Sequence, residues 1–478
     1  MRSGVVRRRP SDKPGSTGRD DAGARPDHRN PGDAPRSRDP NQVPDRPQAP
    51  RYEPSATRKP RRQQAMTRSG VPQPVDPLKD PVVAAPPPAV PPAPPVVERA
   101  HEPDYSVGSW SEDPLSDAQV AARQDAVDAG EFRFGAAVLA GQPNAGKSTL
   151  LNRLLGEKLA IVSPKPQTTR DNIRGILTTA KAQVVFLDTP GIHKARTPLN
   201  RAMVGQAVEA LETVDVVVLV VDAPKAARWA ERAGTKPDLA DAEAAAELDD
   251  SAEALDAVPT EAVVAEGETQ AAPPAVELHR GIHPGDRRVI REILRHNRKW
   301  MIALNKTDIV KPRHLLPVMQ ALGTAPGVGP IVPISAWTAD GVRSLVDEII
   351  QYMPLGQPEF AADELTDRPL RFLAAELVRE QVFLQTREEV PYGVACETEV
   401  WEELQDLTHI QVLVHVEKPA QRAILIGKQG QRMKALATAA RKQMERQTGR
   451  KVFMEVHVRV EPNWPERIEK LRDFGYLT

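Results

Sequence analysis

The stretch GQPNAGKS, residues 141–148, sets two glycines, a lysine and a hydroxyl at the spacing that wraps a backbone around a phosphate. Gly141, Gln142, Pro143, Asn144, Ala145 and Gly146 form a turn whose N–H groups face a β-phosphate, and the helix N-terminus behind them adds a positive dipole. Lys147 reaches the β- and γ-phosphates, Ser148 is an oxygen ligand for Mg²⁺ and Thr149 opens the helix. An apolar strand-like run, FGAAVLA, precedes the motif and TLLNRLLG follows it, the context that separates a phosphate loop from a chance match.

Three further segments complete a purine nucleotide site. In DTPGI, Asp188 is placed to hold Mg²⁺ through water, Thr189 and Pro190 continue the loop, and the Gly191 N–H can meet a γ-phosphate. Loss of that phosphate would release the loop. Between the two motifs, PKPQTTRD must supply a hydroxyl for metal and γ-phosphate; Thr169 is the expected donor and Thr168 the alternative. NKTD, with Asn305, Lys306, Thr307 and Asp308, selects the base, because the Asp308 carboxylate can accept from N1–H and the 2-amino group of guanine. Adenine supplies neither, and a carboxylate left unpaired is costly. In ISAW, Ser335 and the Ala336 backbone N–H stand ready for guanine O6. The chemistry implied is hydrolysis of GTP to GDP, with Lys147, Thr169 and Gly191 as the expected catalytic set. Ile192 follows the glycine where Ras-like enzymes carry a water-orienting glutamine. Its side chain is expected to point away from the γ-phosphate, leaving the water to the backbone of the two loops.

The elements that must position these residues are apolar strands alternating with helical patterns, at 134–140, 184–187, 214–222, 299–305 and 331–334. Strands apolar on both faces indicate a mainly parallel sheet covered by helices, an α/β fold. That domain is expected over residues 130–355. Asn305 lies 117 positions after Asp188, whereas two helices, two strands and short loops need roughly 60. The surplus falls at about residues 225–280, where 237–279 hold 12 acidic residues and no Lys or Arg. A disordered acidic insertion is expected there, with a long solvated helix as the alternative.

Residues 366–478 read as a separate small α+β domain with helix, two strands, glycine loop, helix and strand in order. The loop is IGKQG, in which Gly427, Lys428, Gln429 and Gly430 let a nucleic-acid strand approach the backbone. It is expected to follow a strand and open a helix. Nine Lys or Arg against Glu445 alone over 419–452 suit a phosphate backbone, with Lys428, Arg432 and Lys434 tracking phosphates and an apolar surface beside them holding bases. Few exposed aromatic candidates are present, so hydrogen bonds and aliphatic packing are expected to read the bases.

Composition sets the limits. Residues 1–70 carry 17 Lys or Arg against 8 Asp or Glu with few large apolar side chains, and a proline-rich run follows, so residues 1–115 are expected to be a disordered basic arm. Met66 is an alternative start. Cys396 is the only cysteine, which excludes an intrachain disulfide. The longest apolar run, VVVLVV, is far short of the roughly 20 residues that cross a bilayer. A soluble chain in a reducing cytoplasm is expected.

Read whole, GQPNAGKSTLLNRLLGEKLAIVSPKPQTTR and DTPGIHKARTPLNRAM resemble the Era family, within the TrmE-Era-EngA-like GTPases, over roughly residues 132–223 and 281–478. The resemblance implies a P-loop GTPase domain followed by a type II KH domain, with GTP or GDP and Mg²⁺ bound. It implies binding near the 3′ end of 16S rRNA, a role in assembly of the small (30S) ribosomal subunit and rRNA maturation, a cytoplasmic location, and peripheral association with the inner face of the cell membrane. A monomer is expected. Asn144 matches the asparagine with which related glutamine-lacking GTPases hold K⁺ beside the phosphates, and this resemblance adds Asn144 to the expected catalytic set. The basic arm and the acidic insertion depart from the family. Two other readings remain open: a GTPase whose second domain binds protein or membrane, which has no need of the G-x-x-G loop, and a tRNA-modification GTPase, which calls for cysteine chemistry at the C-terminus.

Overall fold

The computed structural model describes residues 5–7, 103, 105, 117–163, 165, 168–170, 173–192, 197–235, 277–296, 298–387 and 390–477. The proline-rich run and most of the basic arm and acidic insertion lie outside the described residues. Within the arm, β1 (Val5–Arg7) forms an antiparallel pair with β8 (Glu364–Pro369). Helix α1 (Asp117–Asp128) leads into the first domain.

That domain is a six-stranded sheet in the order β3-β4-β2-β5-β6-β7. The strands are β2 (Arg133–Ala140), β3 (Ile173–Thr178), β4 (Ala182–Asp188), β5 (Val216–Asp222), β6 (Trp300–Asn305) and β7 (Val328–Pro333). All neighbours are parallel except β3, which pairs antiparallel with β4 at the edge. β3 is not among the strands expected from sequence. A strand of six with Arg174 and Gly175 inside it carries little apolar signal, and pairing across a short turn to β4 is what makes it a strand.

Central β5, Val-rich and buried at all but its last residue, shows why the order closes this way: both faces need a helical cover. One face packs Leu150, Leu154, Phe186, Val218 and Ile349; the other packs Val138, Leu211, Leu219, Ile290 and Ile302. The covers are α2 (Lys147–Leu155), α3 (Pro198–Glu212), α4 (Ala223–Thr235), α5 (Pro284–Arg295), α6 (Pro312–Leu322) and α7 (Val342–Tyr352). The chain runs from β2 out to β3 and β4 on one side, then returns to β5 on the other. The loop after β2 therefore sits at the switch point of the strand order, where open α/β sheets bind ligands. α4 occupies residues that the sequence assigns to the acidic excursion; its buried Ala223, Ala226 and Trp229 give it a face on the domain, so the helical cover extends to residue 235.

β8 leads into the second domain: α8 (Leu370–Gln385), β9 (Val394–Glu403), β10 (Leu407–Val416), α9 (Pro419–Ile426), α10 (Gln431–Thr448), β11 (Lys451–Val460) and a C-terminal helix α11 (Ile468–Asp473). The sheet order is β11-β10-β9, with β10 parallel to β11 and antiparallel to β9. Helices α8 and α10 cover one face through Leu377, Val378, Leu436, Ala440 and Met444. α9 corrects the sequence reading: the glycine loop follows this short helix, not a strand. Pro419 at its first turn starts it and Gln421 caps it, but eight residues are too few for periodicity to declare.

The two domains are joined by more than the linker. Trp464, Leu471 and Tyr476, after the last strand, pack on Leu199 and Met203 of α3. The Gln206 amide donates to the Tyr476 carbonyl at 3.1 Å.

Candidate nucleotide site and nucleic-acid cleft

Gly146 ends the phosphate loop at φ 96°, and a Cβ there would stand 2.3 Å from Asn305 Nδ2. Only glycine lets the loop turn into α2 while lying against the base-recognition segment. Lys147 folds back over the loop, donating to Gly141 O at 3.2 Å and Gln142 O at 3.1 Å. It is buried, and desolvation pulls its ammonium down to about 8 despite the nearby Asp188. An anionic ligand would reverse that shift, since a phosphate compensates the buried charge.

Three oxygens from three separate segments meet at the α2 N-terminus. Ser148 Oγ donates to Asp188 Oδ2 at 2.6 Å and lies 2.8 Å from Thr169 Oγ1, which is itself 3.3 Å from Asp188 Oδ2. Asp188 is fully buried, burial raises its carboxyl pKa, and its Oδ1 has no partner among the described residues. A buried acid with an orphaned oxygen beside two hydroxyls is an all-oxygen donor set that fits Mg²⁺. Thr168 turns elsewhere, its hydroxyl donating to Lys165 O at 2.7 Å.

The base-recognition loop is stitched to the phosphate loop. Asn305 Nδ2 donates to Ala145 O at 2.9 Å, and Asn305 Oδ1 accepts from Lys306 N and Ala336 N at 2.8 and 3.0 Å. The Ala336 N–H is thus engaged by Asn305, so the expected open donor to guanine O6 is shared. Lys306 is left-handed at φ 67° and its ammonium reaches Asn144 O at 2.6 Å and Asp222 Oδ2 at 2.5 Å. The Thr307 hydroxyl holds Ile334 O at 2.9 Å. Ser335 Oγ donates to Asp308 Oδ1 at 2.8 Å and orients that exposed carboxylate. Arg153, which the sequence did not single out, donates to the carbonyls of Ala336 and Trp337 and supports the loop from below.

Ile192 is 5% exposed and lies in the core with Val138 and Leu211, so its side chain does not face the phosphate loop. Its N–H donates to Gly141 O at 3.3 Å. Gly191 abuts Pro143, and Thr189 is a buried tie whose hydroxyl donates to Leu139 O at 3.1 Å. The side chains of Thr189 and Ile192 are both turned into the domain interior.

Sequence reasoning missed the loop's fastening to the second domain. Thr169 stands between two such anchors. The Thr168 carbonyl accepts from Arg379 Nη1 at 2.6 Å, and the buried Arg170 guanidinium donates to the carbonyls of Pro391, Tyr392 and Val394 and meets the Tyr476 hydroxyl. Glu380 adds contacts to Lys158 at 2.8 Å and to Val162 N at 2.9 Å.

In the second domain Gly427 and Gly430 have φ of 68° and 72° and flank Gln429 at 51°, leaving Lys428 and Gln429 exposed at the turn. Beside it opens a cleft of about 570 Å³ lined by Ile426, Met433, Lys434, Met454, Val456 and His457, among others. Apolar floor and basic rim suit unstacked bases and a phosphate strand. Arg432 spends one N–H on Ile424 O at 2.8 Å. The exposed aromatic Phe453 lies against His409 and is not among the residues lining the cleft; His457, on the same strand β11, is.

A phosphate loop, a converging metal-donor set, and an aspartate held for guanine define a P-loop GTPase, here carrying a KH-type domain. Residues 136–255 match the family described as 50S ribosome-binding GTPase and residues 389–465 match the KH domain. GTPase Era of Syntrophus aciditrophicus is 36% identical over 72% of this chain and 95% of its own length; that of Geobacter metallireducens is 38% identical over 72% and 98%. The chain belongs to the Era family of GTPases. Two solved Era structures, each 32% identical with TM-score 0.59, cover 73% of this chain and are themselves covered fully. One is a point variant of Aquifex aeolicus Era bound to GDP·AlF₄⁻; the other is Era with MgGDPNP and nucleotides 1506–1542 of 16S ribosomal RNA.

Proposed function

We propose that this chain is a GTP-hydrolysing switch that binds 16S rRNA near its 3′ end and assists small-subunit assembly and rRNA maturation. The observation that carries the reading is the meeting of Ser148, Thr169 and Asp188, with the Thr169 segment bonded on both sides to the KH domain. Mg²⁺, held by Ser148, Thr169 and Asp188, would neutralise charge developing between the β- and γ-phosphates. Lys147 binds the phosphates, the Gly191 N–H orients the γ-phosphate, and Asp308 selects guanine. With Ile192 in the core, the backbone of the loops at 168–170 and 189–192 is left to orient the attacking water.

Potassium at Asn144 belongs to the same reading. Asn144 is exposed on the loop in a left-handed turn, with its carbonyl held by Lys306. Hydrolysis faster in potassium than in sodium, with the difference lost in Asn144→Ala, would support it, and indifference to the cation would end it. The domain limits 130–355 and 366–478 belong to the same reading and are supported by the extent of the sheet and of the KH elements. No helix among the described residues is long and apolar enough to cross a membrane. A cytoplasmic monomer, with peripheral membrane contact through basic residues, is the compatible setting; vesicle flotation and light scattering test it.

The decisive experiment is nucleotide competition. GTP and GDP should displace a fluorescent GDP analogue while ATP does not, and Asp308→Asn should shift preference to xanthine nucleotides. Equal displacement by ATP would end the reading.

A further inference from the structure

The side chain of Gln142 leaves the phosphate loop and enters a buried polar pocket between α4 and α5. Its Nε2 donates to Asp286 Oδ1 at 2.7 Å and lies 3.3 Å from His283 Nδ1; its Oε1 accepts from Lys225 Nζ at 2.6 Å. His283 Nδ1 also accepts from Gly285 N at 3.0 Å, so that nitrogen carries the lone pair and not the proton. Burial, with Lys225 and Arg287 nearby, pulls the imidazole down to about 3, which keeps it a neutral acceptor. Gly285 leaves no slack: a Cβ there would sit 2.4 Å from Gln142 Oε1.

This amide is satisfied at both ends, by a cation on one helix and an anion on the other. The backbone behind it does nucleotide work: Gln142 O accepts from Lys147 Nζ at 3.1 Å and from Ala145 N at 3.3 Å. Fixing the Gln142 side chain fixes that carbonyl, and with it the lysine and the turn. The anchors are themselves fastened. Asp222 caps α4 through Lys225 N at 2.9 Å and holds Lys306 of the guanine loop, and Trp229 Nε1 donates to Arg280 O at 3.0 Å. α4 ends and α5 begins on either side of the acidic excursion, so the two helices that flank it grip one phosphate-loop residue.

We propose that Lys225 and Asp286 are positioning residues that act through Gln142 to set how long the site retains guanine nucleotide. The inference rests on the GTPase reading above. Release of a fluorescent GDP analogue from the full-length protein, followed by stopped flow, tests it in Lys225→Met, Asp286→Ala, Gln142→Ala and the Lys225→Met/Gln142→Ala double variant. Lys225 is partly exposed and Asp286 is buried, so Lys225→Met is expected to disturb the fold less than Asp286→Ala. Loss of the charge-assisted bond should speed release about tenfold in Lys225→Met. The double variant should release no faster than Gln142→Ala, because the lysine acts only through the amide. A release rate unchanged in Lys225→Met, or multiplying effects in the double variant, overturns the proposal while leaving the GTPase intact. A wild-type protein that retains no GDP would bring down the nucleotide reading, and this one with it.

Discussion

Replacing Arg170 by alanine should uncouple the nucleotide site from the KH domain. The guanidinium is 1% exposed and donates to three carbonyls of one KH segment, Pro391 and Tyr392 at 3.0 and 2.7 Å and Val394 besides. Removing it strands those carbonyls at about 1 to 3 kcal/mol each. It also relieves the desolvation of a buried charge, which offsets several kcal/mol. The balance is a loss of about 3 kcal/mol of coupling, roughly a hundredfold. Thr169 then keeps its place beside Ser148 but loses one of two neighbours bonded to the KH domain. Two measurements read this. Wild-type protein loaded with a GTP analogue should bind single-stranded rRNA with an affinity different from its GDP form, and Arg170→Ala should collapse that difference. Thermal unfolding should split, the KH transition separating from that of the G domain. A variant that unfolds in one transition at the wild-type midpoint, with its nucleotide-dependent RNA affinity intact, would refute the reasoning.

Ile192→Ala should cost about 2 to 4 kcal/mol of stability, as a buried large-to-small change does, while single-turnover hydrolysis stays near wild type because the side chain faces the core. Lys428→Asp/Gln429→Asp, at the exposed turn between the two glycines, should abolish affinity for single-stranded RNA and leave GDP binding unchanged; retained RNA binding would move that site elsewhere. His409 lies 3.0 Å from Glu455 and 3.5 Å from Glu402, and these carboxylates raise its pKa above 6.5. Its contribution is therefore full below pH 6.5 and lost as pH rises through the raised value. An NMR titration should show a midpoint above 6.5 that falls in Glu455→Gln, and an unshifted midpoint would contradict the geometry.

What could be read from sequence was local. The phosphate loop, NKTD and the glycine loop carry their geometry within a few residues, because positive φ, a metal hydroxyl and a bidentate carboxylate each demand one residue type. Ile192 declared itself by being the wrong residue for a water ligand, and burial explains it. What escaped depends on partners far along the chain. Arg170 and Arg379 are single arginines in sequence, and only the fold brings them to carbonyls 221 and 211 positions away. Gln142 reads as an arbitrary loop residue until α5, 144 positions on, supplies Asp286. β3 and α9 are too short for periodicity, and the Ala336 N–H looked open because nothing in ISAW announces the Asn305 oxygen that takes it.

Tyr476 and Trp464 close the second domain onto α3, and both are synthesised long after the helix they pack against. Synthesis is vectorial, and domains fold as they emerge. The sheet and the whole guanine pocket are therefore available while the KH domain is still to be made, and Arg170 waits in an unfinished setting with its carbonyl partners absent. The nascent protein can fold its nucleotide site before the KH segment that Arg170 binds exists. Only when residues 464–476 have left the ribosome does Tyr476 reach Arg170 and Gln206, so a chain cut short of them should keep the ties of Arg170 and Arg379 to the KH segment while losing the packing against α3.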